Sequence, residues 1–270
     1  MSTEATPPAG ASPPSPQMQS PSYRLAAIDQ DFLLGDSMRG VRFLLEFSKA
    51  DEALRRWGVR STIVVFGSAR VREDGPGPQA RWYAEARRFG RLASERGGAL
   101  KNHAPFRDNV IATGGGPGIM EAANRGAADC GAPSIGFNIT LPHEQRPNAW
   151  STPELTFQFH YFGMRKMHFA MRANALVVFP GGFGTFDELF ELLTLRQTDK
   201  SPRIPIVLVD RDYWSQVVNF GKLVELGMIS PADLDLFCHA EDAEGIWREL
   251  LARGLAPHAS IELAPEQACP

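Results

Sequence analysis

The strongest constraint on this chain is an alternation. Short apolar runs, among them STIVVF at residues 61–66 and ALVVF at 175–179, are separated by longer stretches with helical periodicity. Further runs at 109–113, 134–139, 156–159 and 204–209 extend the series of strands. Helices are expected between them over 79–96, 118–130, 162–173, 183–197 and 213–226, with short ones around 231–237 and 243–251. Strands that are apolar throughout must be covered on both faces. The expected fold is therefore α/β and Rossmann-like: a parallel sheet flanked by helices on both faces, with added N- and C-terminal helices. In such sheets ligands bind beyond the C-terminal strand ends.

The series occurs once, without an internal repeat. Residues 23–270 are expected to form a single Rossmann-like nucleotide-binding domain, with a motif core at about 60–210. Residues 1–22 are rich in Pro, Ser and Ala and hold few large apolar groups, so they cannot offset their ordering entropy and are expected to be a disordered tail. From Asp31 to Trp57 the residues Phe32, Leu33, Val41, Leu44, Leu45, Phe47 and Leu54 recur at helical spacing, which predicts one or two amphipathic helices outside the sheet.

A formal net charge of -3 argues against a broad basic face, and hence against a nucleic-acid partner. Cys130, Cys238 and Cys269 are far apart and lack metal-ligand spacing, which points to a reducing compartment and no bound metal. No apolar run approaches the roughly 20 residues of a membrane span. Without a secretory signal, the cytoplasm is the expected location.

Two glycine-rich segments follow strands and open helices. The first, TGGGPGIME, holds Gly114, Gly115, Gly116 and Gly118, then Met120. Such a loop lets backbone approach a ligand and presents free N–H groups at a helix start. It also serves as a tight turn. It is neither a dinucleotide fingerprint nor a P-loop, lacking the spacing of one and the Gly-Lys-Ser/Thr of the other. The second, PGGFGTFDE, holds Gly181, Gly182, Gly184 and Thr185, with Glu188 one helical turn further on. Donors of that kind suit a terminal phosphate. Thr185 and Glu188 also have the spacing of a capping box, so position alone leaves capping and catalysis open. Arg165 and Lys166 lie on the helix between the loops, where adjacent cations are most often a solvated face. His160 and His168 are expected in packing or surface roles.

Taken together, GGGPGIMEAANRGA at 114–127, MRK at 164–166 and PGGFGTFDE at 180–188 resemble the LOG ("Lonely guy") family. These are cytokinin riboside 5'-monophosphate phosphoribohydrolases and related bacterial nucleosidases, often labelled possible lysine decarboxylases. The resemblance implies hydrolysis of the N-glycosidic bond of a nucleoside 5'-monophosphate, AMP or a relative, to free base and ribose 5-phosphate. It implies catalytic roles for Arg165 and Glu188, and a phosphate site at Gly181, Gly182, Gly184 and Thr185. Ser68, Gly114, Gly115, Gly116, Gly118, Met120, Glu144, Lys166 and Thr194 are expected to complete the substrate site. It implies no cofactor, a small-molecule nucleotide as partner, and a homodimer or higher homo-oligomer.

The chain departs from plant-type members at Phe162-Gly163-Met164, which bears on the base pocket, and carries Asp187 where a glutamate is usual. Residues 99–107 look inserted. The fold also resembles molybdenum-cofactor carriers, so a non-catalytic binder of a phosphorylated ligand is the alternative. A pyridoxal-phosphate decarboxylase is disfavoured, because Lys166 has no recognisable cofactor surroundings.

Overall fold

The computed structural model describes residues 13–100, 105–140 and 146–256. By its internal contacts the chain divides into two compact units, Met1–Leu45 and Glu46–Pro270. In the first unit α1 (Pro16–Gln19) is a single turn capped by the Ser15 hydroxyl. After two 3-10 turns, Asp29 caps α2 (Gln30–Leu34). Arg42 donates to the carbonyls of Leu33 and Gly35, at 2.9 and 2.7 Å. In the described part of the tail, Ser15 and Ser20 each cap a short turn. Residues 1–12 lie outside the described part. Helix α3 (Arg39–Arg56) begins in the first unit and ends in the second.

The second unit runs β1 (Thr62–Phe66), α4 (Gln79–Gly97), β2 (Val110–Thr113), α5 (Ile119–Asp129), β3 (Ser134–Ile139), β4 (Thr156–Phe159) and α6 (Phe162–Arg172). It continues with β5 (Ala173–Val178), α7 (Phe183–Gln197), β6 (Ile206–Val209), α8 (Arg211–Val217), α9 (Phe220–Glu225), β7 (Cys238–Ala240) and α10 (Ala243–Ala252). All strand pairs are parallel, in the order β4-β3-β2-β1-β5-β6-β7. The central strands β1, β2 and β6 are buried at every position, as their unbroken apolar runs require. Edge strand β4 instead buries Phe157 and Phe159 and exposes Gln158.

Strand order reverses between β1 and β5. The chain steps outward one way from β1 to β4, then returns to the other side of β1. Right-handed crossovers place α4 and α5 on one face and α6 and α7 on the other. Helix α10 packs against α4. The reversal leaves a crevice above the ends of β1 and β5, the usual ligand position in such a sheet.

Two expectations need correction. The helix expected over 213–226 is two helices, because Val218 and Asn219 leave the helical path. The Asn219 side chain accepts the Lys222 N–H at 2.9 Å and so starts α9 afresh, a capping role that competes with helix continuation. Strand β7 was not foreseen: three residues, Cys-His-Ala, carry no strand pattern of their own. At the end of the apparent insertion, Arg107 bridges to Val59, while residues 101–104 lie outside the described part.

Candidate functional site

Three loops meet at the crevice. Ser68, after β1, ties them together through its backbone. Its N–H donates to the Pro180 carbonyl at 3.0 Å, and its carbonyl accepts the Ile119 N–H at 3.1 Å. The loop after β1 is thus bonded to both glycine-rich segments.

The first segment is held by the protein itself. The Gly115 N–H donates to Thr113 Oγ1 at 3.0 Å, and the Gly115 carbonyl accepts the Asn148 N–H at 2.8 Å. Asn148 Nδ2 donates to the Gly116 carbonyl at 3.0 Å. Gly115 and Gly118 lie at φ +68° and +72°, and a Cβ would strike the Asn138 side chain at Gly115 and the Ser68 carbonyl at Gly118. A Cβ at Gly114 would come within 2.8 Å of Met120 Sδ, because Met120 folds back over the loop. These glycines are needed by the turn, which is the structural role that the sequence left open.

The second segment is built differently. Helix α7 starts at Phe183, with Gly182 as its N-cap and no side-chain cap. Thr185 is already inside the helix, so the capping-box reading of Thr185 and Glu188 does not apply. Gly181 is fixed from below, since a Cβ there would collide with the Thr185 side chain. Gly182 and Gly184 are exposed, and a Cβ at either would meet nothing within 4 Å. The N–H groups of Gly182, Phe183, Gly184 and Thr185 have no protein acceptor among the described residues. Four such donors at the positive end of a helix dipole are an arrangement that favours an anion.

Glu188 lies one turn further along α7, with a side chain only 6% exposed. Arg165 reaches it from α6, Nη2 to Oε1 at 2.6 Å. The guanidinium lies over the Phe162 and Phe169 rings, 5.0 and 5.8 Å from their centroids. Burial pushes the Glu188 carboxyl above the ordinary carboxylate range, although Arg165 and Lys166 pull it down. Lys166 donates to Asp187 at 2.9 Å and bridges to Glu191 at 3.1 Å. Burial opposes the Lys166 charge, but these hydrogen bonds outweigh it and raise its pKa.

Helix α6 is held along its length by the second-unit part of α3. Glu46 accepts the N–H groups of His160 and Tyr161 at 2.9 and 3.2 Å, satisfying backbone donors at the start of α6. Phe47 stacks on His168 at 5.0 Å, and Asp51 pairs with Arg172. His168 is fully buried, as a packing residue would be, whereas His160 is exposed. The helix outside the sheet thus fixes the helix that carries Arg165. Its apolar spacing gave no sign of this.

The structure brings together Ser68, the two glycine segments, Met120, Arg165, Lys166, Thr185 and Glu188. Thr194 lines a shallow groove together with Lys166, Phe183 and Glu191. Thr194 lies on the exposed side of α7, nine residues beyond Thr185 and so about 13 Å along the axis, with its hydroxyl bonded to the Phe190 carbonyl. Glu144 lies outside the described residues. Two groups were missed. Tyr213 Oη donates to the Gly181 carbonyl at 2.5 Å, and Asp210 caps the helix that carries Tyr213.

Fold and site define a doubly wound parallel α/β protein with an open helix start and an Arg165–Glu188 pair at its switch point. The family model described as possible lysine decarboxylase matches residues 120–250, from Met120 into α10. Cytokinin riboside 5'-monophosphate phosphoribohydrolase LOG3 of Arabidopsis thaliana is 28% identical over 156 residues, covering 56% of this chain and 71% of that protein. The probable phosphoribohydrolase LOGL5 of Oryza sativa subsp. japonica is 26% identical over 193 residues, 70% of this chain and 73% of its own. The X-ray structure of TM1055 shares the fold at a TM-score of 0.50 and 17% identity, covering 71% of this chain and 99% of that one. The chain is thus similar in sequence to phosphoribohydrolases of the LOG family.

The decarboxylase in the family description would need a lysine whose amine is free and neutral to bond to an aldehyde cofactor. Lys166 is bound by two carboxylates and its pKa is raised, so it does not fit that role. Among the described residues no group of three His, Cys, Asp or Glu is placed to hold a metal. No helix among them is long and apolar enough to cross a membrane.

Proposed function

We propose that this protein hydrolyses the N-glycosidic bond of a nucleoside 5'-monophosphate, releasing free base and ribose 5-phosphate. The observation that carries the proposal is the open helix start at residues 182–185, one turn from the buried Arg165–Glu188 pair. The phosphate binds the free N–H groups of that start. The ribose then lies toward Glu188, and phosphate binding energy positions the sugar for attack.

Glycosidic cleavage develops positive charge on the ring carbon and negative charge on the departing base. Glu188 supplies the carboxylate that faces the first and orients the attacking water. Burial raises its pKa, which makes the carboxylate a better acceptor for a proton from that water. Arg165 holds the carboxylate in place through the 2.6 Å contact and offsets negative charge on the leaving base. AMP is the first substrate to test, in keeping with the names of the Arabidopsis and rice relatives. The reading also includes a second copy of the chain on the face of α6 and α7, where Met167, Met171, Phe183 and Phe190 are exposed. That copy would bring Thr194 of one chain to the site of the other. Free thiols at Cys130 and Cys238 suit the cytoplasm.

The test is release of free base from AMP, CMP, GMP, UMP and a prenylated AMP. Glu188→Gln should lower kcat by about 10²- to 10⁴-fold, the usual contribution of a positioned acid–base group. Turnover that survives in Glu188→Gln removes that residue from the chemistry. Tight ribose 5-phosphate binding without release of any base would favour a carrier. A monomer by light scattering at working concentration would remove the second copy.

A further inference from the structure

We infer that Tyr213 is a positioning residue for the phosphate loop, acting through the hydrogen bond it donates to the Gly181 carbonyl. The inference rests on residues 182–185 being the phosphate site, and it names the device that aims them.

The argument begins with the peptide plane. Across a trans peptide, the carbonyl of Gly181 and the N–H of Gly182 point in opposite directions. Tyr213 Oη lies 2.5 Å from the Gly181 oxygen and holds that oxygen toward α8. The Gly182 N–H must therefore point away from α8, and it has no protein acceptor among the described residues. Without the phenol, the flanking glycines would let this peptide rotate, and one of four donors would be lost from the anion site.

Tyr213 is itself seated on a rigid support. Asp210, at the end of β6, accepts the Tyr213 N–H at 3.0 Å through Oδ1. Its Oδ2 accepts Trp82 Nε1 at 2.7 Å and Arg81 Nη2 at 2.5 Å. The Asp210 N–H is tied across the sheet to the Ala240 carbonyl at 3.0 Å. Asp210 holds a left-handed backbone, φ +70°, which a non-glycine residue adopts only under local constraint. The rings of Trp82 and Trp214 meet Tyr213 edge-on, with centroids 5.8 and 5.3 Å away. Burial pushes the Tyr213 phenol above its ordinary pKa, so it stays a donor throughout the neutral range. Tyr213 touches the loop carbonyl and none of the reacting atoms, which makes it a positioning group.

Tyr213→Phe keeps the ring and removes the donor. By calorimetric titration its affinity for ribose 5-phosphate should fall about tenfold, the scale of one hydrogen bond lost with disorder of its partner. With a nucleotide substrate the loss should appear mainly in KM. Release of base from the matching nucleoside, which has no phosphate, should match wild type. Unchanged ribose 5-phosphate affinity in folded Tyr213→Phe overturns the inference, as does an equal loss with nucleotide and nucleoside. The titration needs no turnover, so a wild type that binds ribose 5-phosphate but cleaves nothing refutes the proposed reaction and leaves this inference standing or falling by itself. If Tyr213→Phe does not fold, the same titration on Asp210→Asn decides. That variant keeps the phenol and loosens its seat, and a smaller weakening is expected; wild-type affinity overturns the inference.

Discussion

At Gly115 and Gly118 the backbone is left-handed and a methyl group would run into the protein; at Gly182 and Gly184 a methyl group would meet open space. The first loop has also spent its polar groups inward, on Thr113 and Asn148. The second leaves four N–H groups without protein acceptors among the described residues. Two segments that look alike in sequence therefore need glycine for different reasons. The first needs it to fold. In the second, at Gly182 and Gly184, the folded protein has no steric use for it, and glycine inside a helix start weakens that helix. The proposed phosphate, approaching from outside the chain, would give both glycines a use.

The comparison breaks most visibly at Gly118. Gly118→Ala combines left-handed strain with overlap against the Ser68 carbonyl. It should cost about 3 kcal/mol of stability, measured by denaturant unfolding. Its activity should fall only as the folded fraction falls. A Gly118→Ala protein of wild-type stability that fails to bind ribose 5-phosphate would show that the first loop is a ligand site after all.

Acid should separate the scaffold from the mouth. His168 is buried against Phe47 and Phe137, beside Arg172 and Asp51, and burial lowers its pKa from 6.5 to about 4. The unfolded chain then binds the proton more readily than the folded one. Stability is full above pH 6.5 and falls as pH drops from there toward 4, by at most about 3 kcal/mol. His168→Leu should flatten that limb in unfolding curves taken between pH 7 and 4. Glu188 moves the other way, its pKa raised by burial. If its carboxylate is needed for cleavage, kcat should fall on acidification above the ordinary carboxylate range. A kcat profile flat down to pH 4.5 would exclude that role.

The difference between the loops could not be read from the residues alone. The alternation of apolar runs and helical stretches was legible, because a strand covered on both faces must be apolar throughout, and that fixes β1, β2 and β5 locally. Both loops were legible as glycine clusters at strand ends. Their division of labour was not. Gly118 is constrained by the Ser68 carbonyl from another loop, and Gly181 is aimed by Tyr213, 32 residues away. Glu46 acts on the start of α6 across 114 residues. Strand β7 depends on pairing with β6 rather than on a pattern of its own. Periodicity reports which face of an element is buried; it does not report which polar group from elsewhere meets that face. The motif resemblance reached Arg165 and Glu188, and the structure added the 2.6 Å contact between them.

The smallest expected effect is also the most discriminating, because two properties should move in opposite directions. Gly184 lies in the first turn of α7, outside the left-handed region, and a Cβ added there would have nothing within 4 Å. Gly184→Ala should therefore stabilise the fold by about 0.5–1 kcal/mol, as alanine for glycine does in a helix. The same methyl group would stand beside the N–H groups that meet the phosphate. Affinity for ribose 5-phosphate should fall about tenfold, equivalent to about 1.4 kcal/mol. A variant that melts higher and binds worse would show that glycine is kept at this position for a ligand. If Gly184→Ala melts higher and binds ribose 5-phosphate as well as wild type, the anion does not approach Gly184. The contrast between the loops would then rest on Gly182 and on Tyr213, which holds the Gly181 carbonyl of the same peptide.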